Sequence, residues 1–165
     1  MTGASEATGD VTGASGPVPA EVDVAIVGAG FAGIGMATQL RRRGRESFVV
    51  LERADAVGGT WRDNVYPGIA CDIPAHLYSF SFRPPADWAT LFPRGAEIRD
   101  YLQRTVDEEG LTPFIRLGCE LVDARWDASS AQWSLVTGRG RVRARVLVLA
   151  VGRLSGPQDR KSVGQ

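Results

Sequence analysis

The chain has 165 residues, with 19 basic and 19 acidic side chains and no formal net charge. An apolar content of 44% and a charged content of 23% are ordinary for a soluble globular protein with one real core. Neutrality gives no electrostatic reason to expect nucleic acid or an anionic membrane as a partner. A single histidine, His76, excludes a multi-histidine metal site within the chain, and Cys71 and Cys119 lie far apart with no CxxC, so no metal or disulfide framework is expected. No apolar run reaches membrane-spanning length, and the N-terminus lacks a basic segment followed by an apolar core. A cytoplasmic enzyme, or part of one, is the expectation.

Residues 1–20, MTGASEATGDVTGASGPVPA, hold almost no bulky apolar side chain and cannot repay the entropy of ordering. They are expected to form a disordered tail. TGAS occurs twice there, as low complexity rather than as a structural repeat.

From Asp23 to Glu52 the sequence reads as strand, glycine-rich turn, helix, strand and acid. Val22–Val27 is apolar but for Asp23, and its continuous run Val24–Val27 befits a strand buried on both faces. Gly28, Gly30 and Gly33 then form a G-x-G-x-x-G array. Gly28 lets the chain turn sharply, Gly30 leaves room for a pyrophosphate, and Gly33 lets the helix lie close to the strand. A helix over Phe31–Arg43 would aim its first amides, including those of Phe31 and Ala32, at that pyrophosphate. Ile34, Ala37 and Leu40 would face the sheet. The run Arg41, Arg42 and Arg43 suits a solvated C-terminal turn, and Gly44 ends it. The second strand, Ser47–Leu51, delivers Glu52, whose carboxylate can accept both hydroxyls of an adenosine ribose. An acid there argues against a 2′-phosphate, hence for FAD or NAD rather than NADP at this position.

A plain dinucleotide fold would soon begin a second helix. Here the chain runs instead through ADAVGGTWRDNVYPGIACDIPAHLYSFSFRPPADW, without helical periodicity and with repeated Gly and Pro. Loops of this length in compact domains are usually functional. Gly58–Gly59 permits a second close approach of backbone to ligand, and Trp61 beside it suits a cofactor cavity. Phe80 and Phe82 are expected to cover the loop's own small core. Gly95–Glu109 reads as an amphipathic helix with Ile98, Tyr101, Leu102 and Val106 on one face, closed by Gly110. Phe114–Leu117 suits a short strand. Glu120–Trp126, Gln132–Thr137 and Arg141–Val146 alternate as a three-stranded antiparallel meander, and Val146–Val151 follows as a further buried strand ending at Gly152. The fold class expected is α/β, a Rossmann-like domain with a parallel sheet and a three-stranded antiparallel β-meander crossover, over residues 21–152. A meander crossover is more typical of FAD than of NAD domains. Residues 153–165 are polar and suit a truncated linker or tail.

The stretches GAGFAG, LERADAVGGTWRDNVYPGIACDIPAHLYSFSF and VLVLAVGRLSGP resemble the N-terminal FAD-binding portion of class B flavoprotein monooxygenases. The YPGIACDIPAHLYSFSF block is nearer the Baeyer–Villiger monooxygenases than the N-oxidising flavin enzymes. The resemblance implies that Gly28, Gly30, Phe31, Ala32 and Gly33 hold the pyrophosphate of FAD. Glu52 and Arg53 would lie at the ribose, and Gly59, Thr60 and Trp61 along the path to the flavin. It further implies that Asp72 is an acid near the flavin with a catalytic part, that Tyr78 contacts the cofactor, and that the backbone of Leu121 reads the adenine edge. Ala150 and Gly152 would close the strand-end motif, where Val151 replaces the family's usual hydroxyl residue. In that family NADPH reduces the flavin, and a C4a-peroxyflavin then oxygenates a ketone or heteroatom substrate. The family's histidine motif and second glycine array for NADPH are not among these residues. The chain is therefore expected to be the FAD-binding portion of such an enzyme. Two alternatives remain open, a fragment that binds FAD without turnover and a binding subunit completed by another, C-terminal chain. Exposed cavity walls lead to an expectation of limited solubility or self-association.

Overall fold

In a computed structural model of the protein, residues 16–84 and 88–153 are described. Their elements are β1 (Glu21–Val27), α1 (Phe31–Arg42), β2 (Phe48–Leu51), α2 (Thr60–Asp63), α3 (Gly95–Glu108), a 3₁₀ turn (Thr112–Phe114), β3 (Ile115–Arg116), β4 (Leu121–Asp127), β5 (Gln132–Thr137) and β6 (Gly140–Leu149). One six-stranded sheet takes the order β3-β2-β1-β6-β5-β4. β3, β2, β1 and β6 run parallel, and β6, β5 and β4 are antiparallel.

The parallel half follows from its apolar strands. All four residues of β2 are buried, and Ala25 and Ile26 of β1 are fully so. A strand buried on both faces needs a cover on each side. On one side α1 and α3 supply Ile34, Ala37, Tyr101, Leu102 and Val106 to a cluster with Ile26, Phe48 and Val50. A second cluster joins Val22, Val49 and Leu51 to Leu135, Val142 and Ala144 of the antiparallel half. α3 begins with Glu97 reaching back to accept the Arg94 amide at 2.8 Å. Gly110 ends it with φ +62°.

The expected third meander strand and final strand are one element. β6 pairs with β5 from Gly140 to Ala144 and with β1 from Arg143 to Leu149. No breaker separates the two parts, so the chain passes from antiparallel to parallel pairing without a turn. Its last part is not buried as expected, since Val146 and Leu149 are exposed. Phe114–Leu117 resolves into a 3₁₀ turn and a two-residue strand, because Pro113 favours the turn.

Three further expectations change. Phe80 does not serve a private loop core: its ring packs 5.1 Å from Phe31 and 5.9 Å from Tyr101, on the main cluster. Phe82 stacks 4.8 Å from Phe80, with the Arg42 guanidinium 4.7 Å above its ring. The arginine run is more than a solvated end, since Arg42 pairs with Glu109 and Arg41 donates to the Glu109 carbonyl, joining α1 to the end of α3. Of the expected tail, residues 16–20 are placed against the domain. Val18 packs on the second cluster, and the Ala20 carbonyl accepts the Arg143 amide at 2.9 Å. Residues 1–15 of that tail, and 154–165 of the expected linker, lie outside the described residues. Among the described residues no helix is long and apolar enough to cross a membrane.

Leu102 is fully buried where α3 meets the sheet. Leu102→Ala should cost about 2–5 kcal/mol of stability, read as a lower denaturant midpoint in urea unfolding.

Candidate functional site

The C-terminal ends of β1, β2 and β6 open on one cleft of about 430 Å³. Ligands of open α/β sheets bind at such strand ends. Here the cleft is made by close backbone approach. Gly28 turns with φ +103°, and a Cβ on it would lie 2.6 Å from the Ala150 carbonyl oxygen. A Cβ on Gly33 would overlap the Gly28 carbonyl oxygen, so the helix could not sit where it does with any other residue there. The Gly28 amide donates to Leu51, and the Ala150 amide to Val27. β2, β1 and β6 are thereby locked at the cleft floor.

Helix α1 starts at this floor. Its N-cap is Gly30, no side chain caps it, and its first turn holds no acid. The first amides of a 12-residue helix therefore face the cleft without a protein acceptor. A second corner, Gly58–Gly59, rises opposite. The Gly58 amide donates to Ala29 at 2.9 Å, and a Cβ on Gly59 would stand 3.1 Å from the Gly30 Cα. Gly59 itself has φ +53°, a backbone shape that suits glycine. The two glycine turns thus abut; Gly59 has no room for a side chain, whereas a Cβ on Gly30 would stand in ordinary contact, 3.7 Å from the Gly59 Cα.

Glu52 sits at the end of β2 and is 4% exposed. One carboxylate oxygen accepts the Ala29 amide at 2.8 Å. The other accepts the Ala54 amide at 3.0 Å and lies 3.1 Å from Arg62 Nη1. A carboxylate offers about four lone-pair positions, so roughly one stays open to the cleft. That leaves room for one hydroxyl rather than the two expected of a free carboxylate.

One wall is aromatic. Trp61 Nε1 donates to Tyr78 Oη at 3.0 Å, and their rings meet edge-on at 5.6 Å. Phe31 meets Tyr78 edge-on at 4.9 Å. Burial pushes the Tyr78 phenol above its ordinary pKa; the Trp61 hydrogen bond works against this, and the nearby Cys71 and Asp72 add to it. Accepting from Trp61 leaves the phenol O–H free to donate elsewhere.

Most residues singled out in the sequence meet here. Gly28, Gly30, Phe31 and Ala32 line the floor, and Glu52 and Arg53 the end of β2. Gly59, Thr60, Trp61 and Tyr78 form the opposite wall, while Leu121, Ala150 and Gly152 complete the rim. Gly33 lies beneath the turn, not in the cleft. Asp72 is exposed and is not among the residues lining the cleft, although it lies near enough to Tyr78 for its charge to raise that phenol's pKa. Its neighbour explains the exposure, because Cys71 is buried with its amide bonded to Pro93, which turns the next side chain outward. Arg62, Asp63, Cys119 and Glu120 also line the cleft and were not foreseen. Of these, Arg62 was legible only in its position beside Gly58–Gly59–Thr60–Trp61.

Comparison with known proteins agrees with this geometry. Residues 26–94 match the family described as an NAD(P)-binding Rossmann-like domain. A Baeyer–Villiger monooxygenase of Streptomyces coelicolor is 50% identical over 137 residues, covering 83% of this chain and 26% of that protein. One of Pseudomonas aeruginosa is 41% identical over 145 residues, covering 86% and 28%. Among solved structures, a cyclohexanone monooxygenase from Rhodococcus sp. Phi1 bound to NADP+ superposes with a TM-score of 0.80 at 36% identity, covering 86% of this chain and 28% of that one. An oxidised steroid monooxygenase bound to NADP gives 0.79 at 36% identity, covering 84% and 27%. The chain spans about a quarter of the length of the curated relatives it matches, 26% and 28% for the two bacterial proteins. By sequence and fold it resembles the N-terminal portion of Baeyer–Villiger monooxygenases.

The raised phenol pKa has a measurable sign. Folding favours the neutral Tyr78, so its contribution is whole below pH ~10 and is lost as pH rises through the higher folded value. Tyr101 is shifted the same way, also chiefly by burial. Thermal unfolding above pH ~10 should therefore fall less steeply for Tyr78→Phe than for the native chain, with part of the slope retained through Tyr101.

Proposed function

We propose that this chain binds FAD as the flavin-holding portion of an NADPH- and O2-dependent monooxygenase acting on a ketone or heteroatom substrate. The observation that carries this reading is the pair of abutting glycine turns at an uncapped helix N-terminus, with a buried acid at the end of β2. A dinucleotide matches each feature. Its pyrophosphate is anionic and needs close backbone approach, which Gly30 and Gly59 allow. Its adenosine ribose offers a hydroxyl to Glu52, and the single open lone-pair position suits a hydroxyl better than a 2′-phosphate. The residues present therefore fit FAD.

Each residue's part follows from where it stands. The first amides of α1 bind and orient the pyrophosphate. Glu52 fixes the adenosine end. The backbone at Leu121 lies on the rim where the adenine would rest. Trp61 and Tyr78 wall the path toward the isoalloxazine and keep water from its face, and the free phenol O–H of Tyr78 can donate a proton in a hydrogen bond there. When bound, the flavin supplies the redox chemistry, taking hydride from NADPH and activating O2. Asp72 is exposed beside the cleft and near Tyr78, and its part at the flavin rests on the family resemblance. The fuller activity, including NADPH use and substrate oxygenation, rests on the relatives.

Gly30→Asp places a carboxylate against Gly59 and at the pyrophosphate position. It should weaken FAD binding by more than about tenfold in isothermal titration, with far-UV circular dichroism unchanged. Unchanged FAD affinity in the variant would contradict the placement. In parallel, NADPH oxidation with cyclohexanone, measured with the C-terminal portion of a relative supplied, separates the monooxygenase reading from one in which the chain only holds FAD: FAD retention without oxidation in that mixture favours the latter.

A further inference from the structure

Arg62 is a basic side chain in the cleft wall that the dinucleotide reading leaves unused. It sits in the single turn α2, directly after the second glycine corner, and its guanidinium is mostly buried. Nη1 donates to the Ala56 carbonyl at 2.6 Å and lies 3.1 Å from Glu52 Oε1. Nε and Nη2 both lie 2.8 Å from Asp63 Oδ1. Burial opposes its charge, but the Asp63 hydrogen bond and the fields of Glu52 and Asp63 outweigh this and raise its pKa. Its Cβ is packed so near Gly58 that a Cβ on Gly58 would come within 3.1 Å of it. With each nitrogen occupied, Arg62 offers little to a ligand directly. It joins three things instead: the acid on β2, the loop that follows, and the glycine corner.

We propose that Arg62 is a positioning residue for the adenosine ribose, holding the Glu52 carboxylate in one orientation with a single acceptor position facing the cleft. This rests on the dinucleotide reading above. Without the guanidinium, Glu52 keeps two amide donors and gains a free lone pair beside Arg62's former place. Its carboxylate can then rotate, and its aim at the ribose is lost although the fold remains. A purely structural Arg62 would behave differently, because loosening the corner would weaken every ligand alike.

The distinction is readable with ADP, which carries adenine, ribose and pyrophosphate, and with its 2′,3′-dideoxy analogue, which lacks the ribose hydroxyls. Isothermal titration of the native chain should give about tenfold tighter binding of ADP than of the dideoxy form. Arg62→Met should bring that ratio to about one, and Arg62→Lys should restore most of it. In a Glu52→Gln background Arg62→Met should change the ratio no further. Circular dichroism and thermal unfolding confirm that each variant is folded; should Arg62→Met not fold, the Arg62→Lys and Arg62→Gln ratios decide in its place. Equal weakening of both ligands with the ratio preserved overturns the proposal, as does a native chain that binds ADP without discriminating. FAD retained with no ribose discrimination sinks this inference alone. ADP discrimination without FAD retention sinks the FAD reading alone.

Discussion

The structure depends on backbone touching backbone at the ends of three parallel strands. Gly33 rides over the Gly28 carbonyl, Gly28 meets the Ala150 carbonyl, and Gly59 meets Gly30. At Gly28, Gly33 and Gly59 there is no room for a side chain. Because the contacts are so close, β1, β2 and β6 converge on one floor, α1 begins at that floor with its amides exposed, and the corner before α2 closes the opposite side. The hydrogen bonds Gly28 to Leu51, Ala150 to Val27 and Gly58 to Ala29 then fix what the sterics allow. The cleft is a consequence of packing rather than a cavity left over from it.

That floor was readable in the sequence because glycine spacing and hydrophobic periodicity are local signals. β1, α1, β2 and α3 came within a residue or so of their expected ends for the same reason. What was not readable depended on distant partners. Nothing local in GRVRARVLVL says that one strand serves two neighbours; only pairing to β5 at one end and β1 along the rest makes it continuous. Phe80 and Phe82 sit in a stretch without periodicity, and their packing on α1 and α3 follows from where the loop returns. The acid at Glu52 was evident, but its engagement by the Ala29 and Ala54 amides and by Arg62 was not, since those partners come from three separate segments. Asp72 stands in the family-like stretch and is exposed beside the buried Cys71.

The same geometry divides the work of the site. Glycines and helix amides provide a fixed, positive, side-chain-free seat at one end, which suits a pyrophosphate. Glu52, held from three sides, gives that end its direction. Trp61, Tyr78 and Phe31 form a drier wall further along, where the Tyr78 phenol stays neutral and keeps a donor available. Binding and orientation are therefore the work proposed for this quarter-length of the relatives' chain, with the redox chemistry left to the cofactor.

The account stands most directly on amide hydrogen exchange with and without FAD. Exchange should slow in Ala29–Gly33 and in Gly58–Thr60 together when FAD is added, with little change in the distant β4–β5 hairpin. Protection confined to another surface, or no protection at either glycine turn in the presence of saturating FAD, would contradict it.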